Sequence, residues 1–163
     1  MEKKKGAYHY TESGLNNVFL ASGFTFANGG KTVVIQDVKG LQRAIGFTLA
    51  RLRRRLTGME FRFLRSELFL SQANLAKLLR VKELTIGRWE REESEIPLSS
   101  EATVRTMFLE SNGQGGRMKK LLADLADLDD EIDWQGRITL QGRITLRKNK
   151  GHWDVLEPEP DAA

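Results

Sequence analysis

Polar side chains recur along a short predicted helix over residues 83–91, at positions that the helical period turns away from its apolar side. Arginine can grip guanine through two hydrogen bonds, glutamate can accept one from cytosine, and threonine can contact the thymine methyl group. The chemistry on offer is therefore hydrogen bonding to bases and phosphates. The positions concerned are Lys82, Glu83, Thr85, Arg88 and Arg91.

Two short helices joined by a tight turn are predicted to position these side chains. Ser71 can cap a first helix over residues 72–79, since a serine oxygen accepts a hydrogen bond from the exposed amides of the first turn. Apolar residues at helical spacing mark the inner sides of both helices, namely Leu75, Ala76, Leu79, Ile86 and Trp89. This order is typical of a helix-turn-helix, in which the second helix enters the major groove of DNA.

The residue order Ser-Gln-x-x-Leu-Ala-x-x-Leu-x-Val, followed by Ile-x-x-Trp-Glu, resembles the Cro/repressor (Xre-type) DNA-binding family over residues 57–109. The resemblance implies base contacts from the outward side of the second helix, and phosphate contacts from Gln72, Lys77 and Arg91. Arg80 departs from the family, which usually has glycine there. Because a positive φ strains any residue with a Cβ, either this turn is remodelled or Arg80 gains a phosphate contact.

Composition narrows the function classes. Hydrophobic residues make up 40% of the chain and charged residues 29%, a balance typical of globular proteins. No apolar run approaches the roughly 18 residues of a membrane span, and no signal-like segment follows the basic start. With no cysteine and only His9 and His152, the chain offers no disulfide, thiol nucleophile or metal cluster. We therefore expect a cytoplasmic protein that is not an enzyme, has no catalytic residues and needs no cofactor or metal.

The net charge of +4 conceals opposite charges in two segments. Residues 51–91 contain eleven Lys or Arg and four Glu, a local charge of +7 that coincides with the two predicted helices. Such a basic segment is typical of a phosphate-binding surface. Residues 121–133 carry six acidic and no basic residues, which usually indicates a solvated helix face. The arginines of 51–55 end a predicted helix over 38–54, so they serve either its dipole or DNA.

The predicted fold class is mainly α with small β elements (α+β), in three segments. Residues 1–56 form a small hairpin and a helix, and they are a candidate dimerisation module. Residues 57–112 form a five-helix Cro/repressor-type helix-turn-helix domain. Residues 113–163 form a C-terminal helix, a short hairpin and a disordered tail.

Local patterns predict the elements of the two flanking segments. Strands at residues 18–20 and 32–35 flank the turn residues 28–30. The C-terminal helix has an apolar heptad seam from Met118 to Ile132, which can pack on the protein itself or form a coiled coil. A duplicated QGRITL follows, and Asn149-Lys150-Gly151 is the predicted hairpin turn.

The order of segments over residues 8–109 resembles the MqsA-like antitoxins and related Xre regulators. It implies a homodimeric repressor that binds an inverted repeat in a double-stranded DNA operator and often controls its own operon. A second interpretation is an antitoxin that neutralises a partner toxin protein by direct binding, with DNA binding as feedback. The zinc site of that family is built from cysteines, so this chain lacks it.

Overall fold

The computed structural model describes residues 6–113 and 143–156. They form six short strands and five α-helices, the mixed composition that the sequence predicts. The strands are β1 (Tyr8–His9), β2 (Val18–Leu20), β3 (Phe24–Ala27), β4 (Thr32–Ile35), β5 (Ile144–Lys148) and β6 (Trp153–Leu156). The helices are α1 (Val38–Arg51), α2 (Gly58–Glu67), α3 (Gln72–Leu79), α4 (Glu83–Glu90) and α5 (Leu98–Ser111). The described residues divide into two compact units, residues 6–44 with 143–156 and residues 45–113.

The first unit contains a four-stranded sheet in the order β1-β2-β5-β6 and a separate β3–β4 hairpin. β2 and β5 run parallel, with Val18 opposite Ile144, and the other neighbouring strands are antiparallel. Gly23 follows β2 with φ 83°, and a Cβ there would lie 2.6 Å from the Trp153 ring. Glycine is therefore required at this position by both its backbone and its neighbours.

The strands at 18–20 and 32–35 and the C-terminal hairpin are confirmed, but the partner of the first strand differs from the expectation. The turn at residues 28–30 joins β3 to β4, whereas β2 pairs with β1 and β5. The sheet thus joins residues from the predicted segments 1–56 and 113–163, whose division into domains stays a prediction. The heptad seam and the first QGRITL copy lie outside the described residues, and the second copy contributes to β5.

The second unit packs the end of α1 and all of α2 to α5 around one apolar core. Its buried side chains include Ile45, Leu49, Leu56, Phe61, Leu64, Leu75, Ile86, Trp89, Val104, Phe108 and Leu109. Thr57 caps the start of α2, because its Oγ1 accepts a hydrogen bond from the Glu60 amide at 3.3 Å. Among the described residues, no helix combines the length and the apolar content that crossing a membrane requires.

Helix α1 ends at Arg51, three residues before the predicted end at residue 54. Past this point the backbone carbonyls of Leu52 and Arg54 accept hydrogen bonds from the fully buried Arg105 guanidinium of α5, each at 2.6 Å. Glu101 accepts from Arg105 at 2.7 Å in the same helix. Arg105 also donates to the carbonyls of Leu49 and Ala50, which a helix reaching residue 54 would have bonded to the amides of residues 53 and 54.

Three successive helices end with a residue other than glycine in the left-handed conformation, namely Phe69 after α2, Arg80 after α3 and Glu92 after α4. In each, the next amide bonds a carbonyl five residues back, as from Leu70 to Arg65 and from Val81 to Ala76. Left-handed geometry costs a residue with a Cβ roughly 1–2 kcal/mol. Glu92 also connects two helices, because its carboxylate accepts a hydrogen bond from the Gly58 amide at the start of α2.

Candidate nucleic-acid interface

Helices α3 and α4 form where the sequence predicts them, with α4 ending one residue early at Glu90. The Ser71 hydroxyl accepts a hydrogen bond from the Asn74 amide at 3.0 Å, which confirms it as the cap of α3. Leu75 and Ala76 of α3 are buried, as predicted, and Leu79 is half-buried. Ile86 and Trp89 fix the inner side of α4. The two helices are thus held by their apolar sides, and their polar sides face solvent.

The connection between α3 and α4 keeps a left-handed residue although no glycine is present. Arg80 adopts φ 56° and ψ 42°, and its amide bonds the Lys77 carbonyl at 3.3 Å. The turn is therefore not remodelled by the arginine. The Arg80 side chain is exposed, so its predicted phosphate contact stays a prediction.

A hydrogen-bonded group of three side chains ties α4 to α2 and α3. The Glu90 carboxylate accepts hydrogen bonds from Arg65 Nε at 2.5 Å and from Arg65 Nη2 at 3.2 Å. Gln72 Nε2 donates to the same carboxylate, at 2.8 Å from Glu90 Oε2. The amide nitrogen of Gln72, which we expected at a phosphate, thus helps to orient α4; a phosphate contact of this residue stays a prediction.

The outward side of α4 is centred on Leu84, Arg88 and Arg91. At 100° per residue, these three positions lie within about 60° of one another around the helix axis, and all three are exposed. Leu84 is 58% exposed, and it was not predicted as a site residue because hydrogen bonding to DNA requires a polar side chain. Its spacing to the two arginines, four and seven residues, is the pattern that could have revealed it.

The other predicted base-contacting residues have different surroundings. Glu83 is exposed in the first turn of α4, beside the exposed Lys82 that precedes the helix. Thr85 lies about 100° around the helix from Leu84 and is half-buried, so it borders the outward side instead of occupying its centre. Leu84 therefore occupies the outward position that was predicted for Thr85.

Further exposed basic side chains lie next to α4 in the chain. Lys77 is in α3, and Arg80 and Lys82 are in the connection between α3 and α4; all three are exposed. Arg91 Nε donates to Glu93 Oε1 at 2.9 Å on the surface. These hydrogen bonds lower the pKa of the Glu93 carboxyl, and Glu93 in turn raises the pKa of Arg91. Because the pair is exposed and screened by water, a phosphate can replace Glu93 at little cost.

Two of the arginines that follow α1 form ion pairs with buried carboxylates. Arg54 holds the buried Glu60 carboxylate with two hydrogen bonds, at 2.8 and 3.1 Å. Arg55 Nε donates to the buried Glu101 carboxylate at 2.7 Å. Both guanidinium groups are therefore held in ion pairs with buried carboxylates, and contact of this cluster with DNA stays a prediction. Arg51 lies over the Phe47 ring at 4.9 Å.

Among residues 6–113 and 143–156, no group of acidic or histidine side chains is arranged to hold a metal ion. No family model, curated protein or solved structure matches the chain.

Proposed function

We propose that this chain is a sequence-specific DNA-binding transcriptional regulator in which α3 and α4 act as a helix-turn-helix. The observation that carries the proposal is the outward side of α4, where Leu84, Arg88 and Arg91 are exposed to solvent. A helix fixed along one side by buried apolar contacts and exposing long side chains on the other suits insertion into a major groove.

The charges support the same proposal. Arg54, Arg55 and Arg65 are used in internal ion pairs. Arg88 and Arg91 are exposed on the outward side of α4, and Lys77, Arg80 and Lys82 are exposed in α3 and its connection to α4. Basic side chains on and next to a reading helix can bind the phosphate backbones that border one groove.

We propose that the active form is a homodimeric repressor on an inverted repeat. One module of this size makes few base contacts, and two-fold symmetry doubles them over half-sites about one helical turn apart. The operator is double-stranded DNA selected by α4. Neutralisation of a toxin by direct binding remains the alternative, and a toxin gene next to this one would favour it.

The test is a selection of duplexes from a random pool by the full-length chain, followed by titration against salt. We expect an inverted repeat, and a decrease of log K with log salt of about 0.9 per phosphate contacted. Sedimentation of the complex measures its stoichiometry. Affinity that is independent of salt, or a pool from which no site is enriched, contradicts DNA binding; one chain per duplex contradicts only the dimer.

Arg88 and Lys77 are expected to contribute differently to binding. Arg88→Ala should lower the affinity by roughly 1–3 kcal/mol and relax the preference at one base position, because it removes a side chain that can grip guanine. Lys77→Ala should weaken all sequences alike and reduce the salt slope by about one. Repeating the selection and the titration with both variants separates these effects. If Lys77→Ala relaxes a base preference and Arg88→Ala does not, the assigned orientation of α4 is wrong.

A further inference from the structure

Leu84 is an apolar side chain among charged ones on the outward side of α4. It lies in the first turn of the helix, next to Glu83 and one turn before Arg88. A single exposed leucine is ordinary on a protein surface. At this position, however, its neighbours along the helix are side chains that bind polar groups, and the N-terminal part of such a helix is the part that meets base edges.

An aliphatic side chain in a major groove has one chemically matched partner. Leucine neither donates nor accepts hydrogen bonds, and the apolar group that a base pair presents in this groove is the C5-methyl of thymine. Thr85, the residue expected to contact that methyl, is half-buried and lies about 100° away around the helix. We propose that Leu84 reads the C5-methyl group of a thymine in each half-site. This inference rests on the proposed function.

The spacing on α4 also places that thymine relative to the base read by Arg88. Four residues of helix cover about 6 Å along the axis, and base pairs are stacked about 3.4 Å apart. The thymine that contacts Leu84 therefore lies within about two base pairs of the position whose preference Arg88→Ala relaxes.

The experiment uses the full-length chain and the duplex that it selects from the random pool. Each thymine of the half-site is replaced in turn by uracil, which removes only the methyl group, and symmetrically in both half-sites. We expect one position at which uracil lowers the affinity about fourfold per half-site, the factor for losing one buried methyl. At this position 5-bromouracil, whose bromine is close to a methyl group in size, should restore the affinity. L84A should bind the thymine and uracil duplexes equally.

A matched control is available on the neighbouring helix. Leu78 of α3 is 57% exposed, against 58% for Leu84, so L78A removes an equally exposed leucine. L78A and T85A should both keep the preference for thymine over uracil. Thermal melts of the three variants should match the wild type, because none of these side chains lies in the core.

The outcomes separate this inference from the function on which it rests. An L84A variant that keeps the thymine preference overturns the inference while DNA binding stands, and so does a selected half-site with no methyl-dependent position. Loss of the preference in T85A instead assigns the methyl contact to the threonine. If no duplex is enriched at all, the proposed function and this inference fail together.

Discussion

Replacing Arg105 by methionine should lower the free energy of unfolding by about 3–5 kcal/mol, the range measured when one partner of a buried ion pair is removed. The Arg105 side chain is fully buried in the second unit. Its guanidinium donates to five acceptors, which are the carbonyls of Leu49, Ala50, Leu52 and Arg54 and the Glu101 carboxylate. Methionine fills much of the same volume but leaves these acceptors buried without their donor.

The Glu101 carboxylate keeps two donors in this variant, Arg55 Nε and the Leu56 amide, both at 2.7 Å. It nevertheless loses the Arg105 guanidinium, which lies four residues further along α5 and 2.7 Å from Glu101 Oε1. Burial lowers the pKa of Arg105, and Glu101 partly compensates by raising it. The ion pair is thus maintained against desolvation by its hydrogen bonds, which is why removing one member should be so costly.

Urea denaturation followed by circular dichroism measures this loss. The control is Arg91→Met, the same change in the exposed pair with Glu93, which should leave the urea midpoint unchanged. A stability equal to that of Arg91→Met shows that the Arg105 contacts contribute nothing to the fold.

Replacing Trp89 by alanine should cost about 3–5 kcal/mol of unfolding free energy by opening a cavity under α4. Trp89 is 4% exposed, and its ring meets Phe61 of α2 edge-on, with centroids 5.9 Å apart. The chain of α2 also begins close beneath it, where a Cβ on Gly58 would collide with the Trp89 carbonyl oxygen. Backbone packed this tightly can collapse only partly into the space that the indole leaves.

Trp89→Phe is the matched control, since it keeps an aromatic ring and should lose clearly less stability than the alanine variant. Both variants are compared by urea denaturation, and their binding to the selected duplex is measured at a temperature where each is folded. We expect the loss of DNA binding to follow the folded fraction, because Trp89 supports α4 without facing the groove. Weakened binding by a fully folded alanine variant contradicts this role.

Much of the second unit was predictable because its helix boundaries depend on residues close together in the chain. Ser71 and Thr57 cap helices by accepting hydrogen bonds from the amides three residues on, those of Asn74 and Glu60. The apolar period likewise compares positions three and four apart, and it correctly placed Leu75, Ile86 and Trp89 inside. Local rules of this kind need no knowledge of the tertiary structure.

The strand partners were decided by the tertiary structure alone. β2 and β5 pair in parallel although Val18 and Ile144 are more than a hundred residues apart, and no local turn connects them. The turn residues 28–30 were recognised, but the strand at Phe24–Ala27 that they join to β4 was not. A strand is stabilised by its neighbours across the sheet, so its pairing cannot be read from its own residues.

The exposed side of α4 was determined partly by the sequence and partly by the tertiary structure. The sequence determined that α4 carries Glu83, Arg88 and Arg91, and their types already indicate hydrogen bonding to bases and phosphates. Only the packing of Ile86 and Trp89 sets the rotation of α4, and a rotation of one residue, 100°, exchanges Leu84 for Thr85 at the centre of the outward side. The partners of Arg54, Arg55 and Arg65 were also out of reach of the sequence, because ion pairs such as Arg55–Glu101 join residues 46 positions apart. The sequence gives the number of charged residues, whereas the charge exposed on the surface depends on which of them the fold places in internal ion pairs.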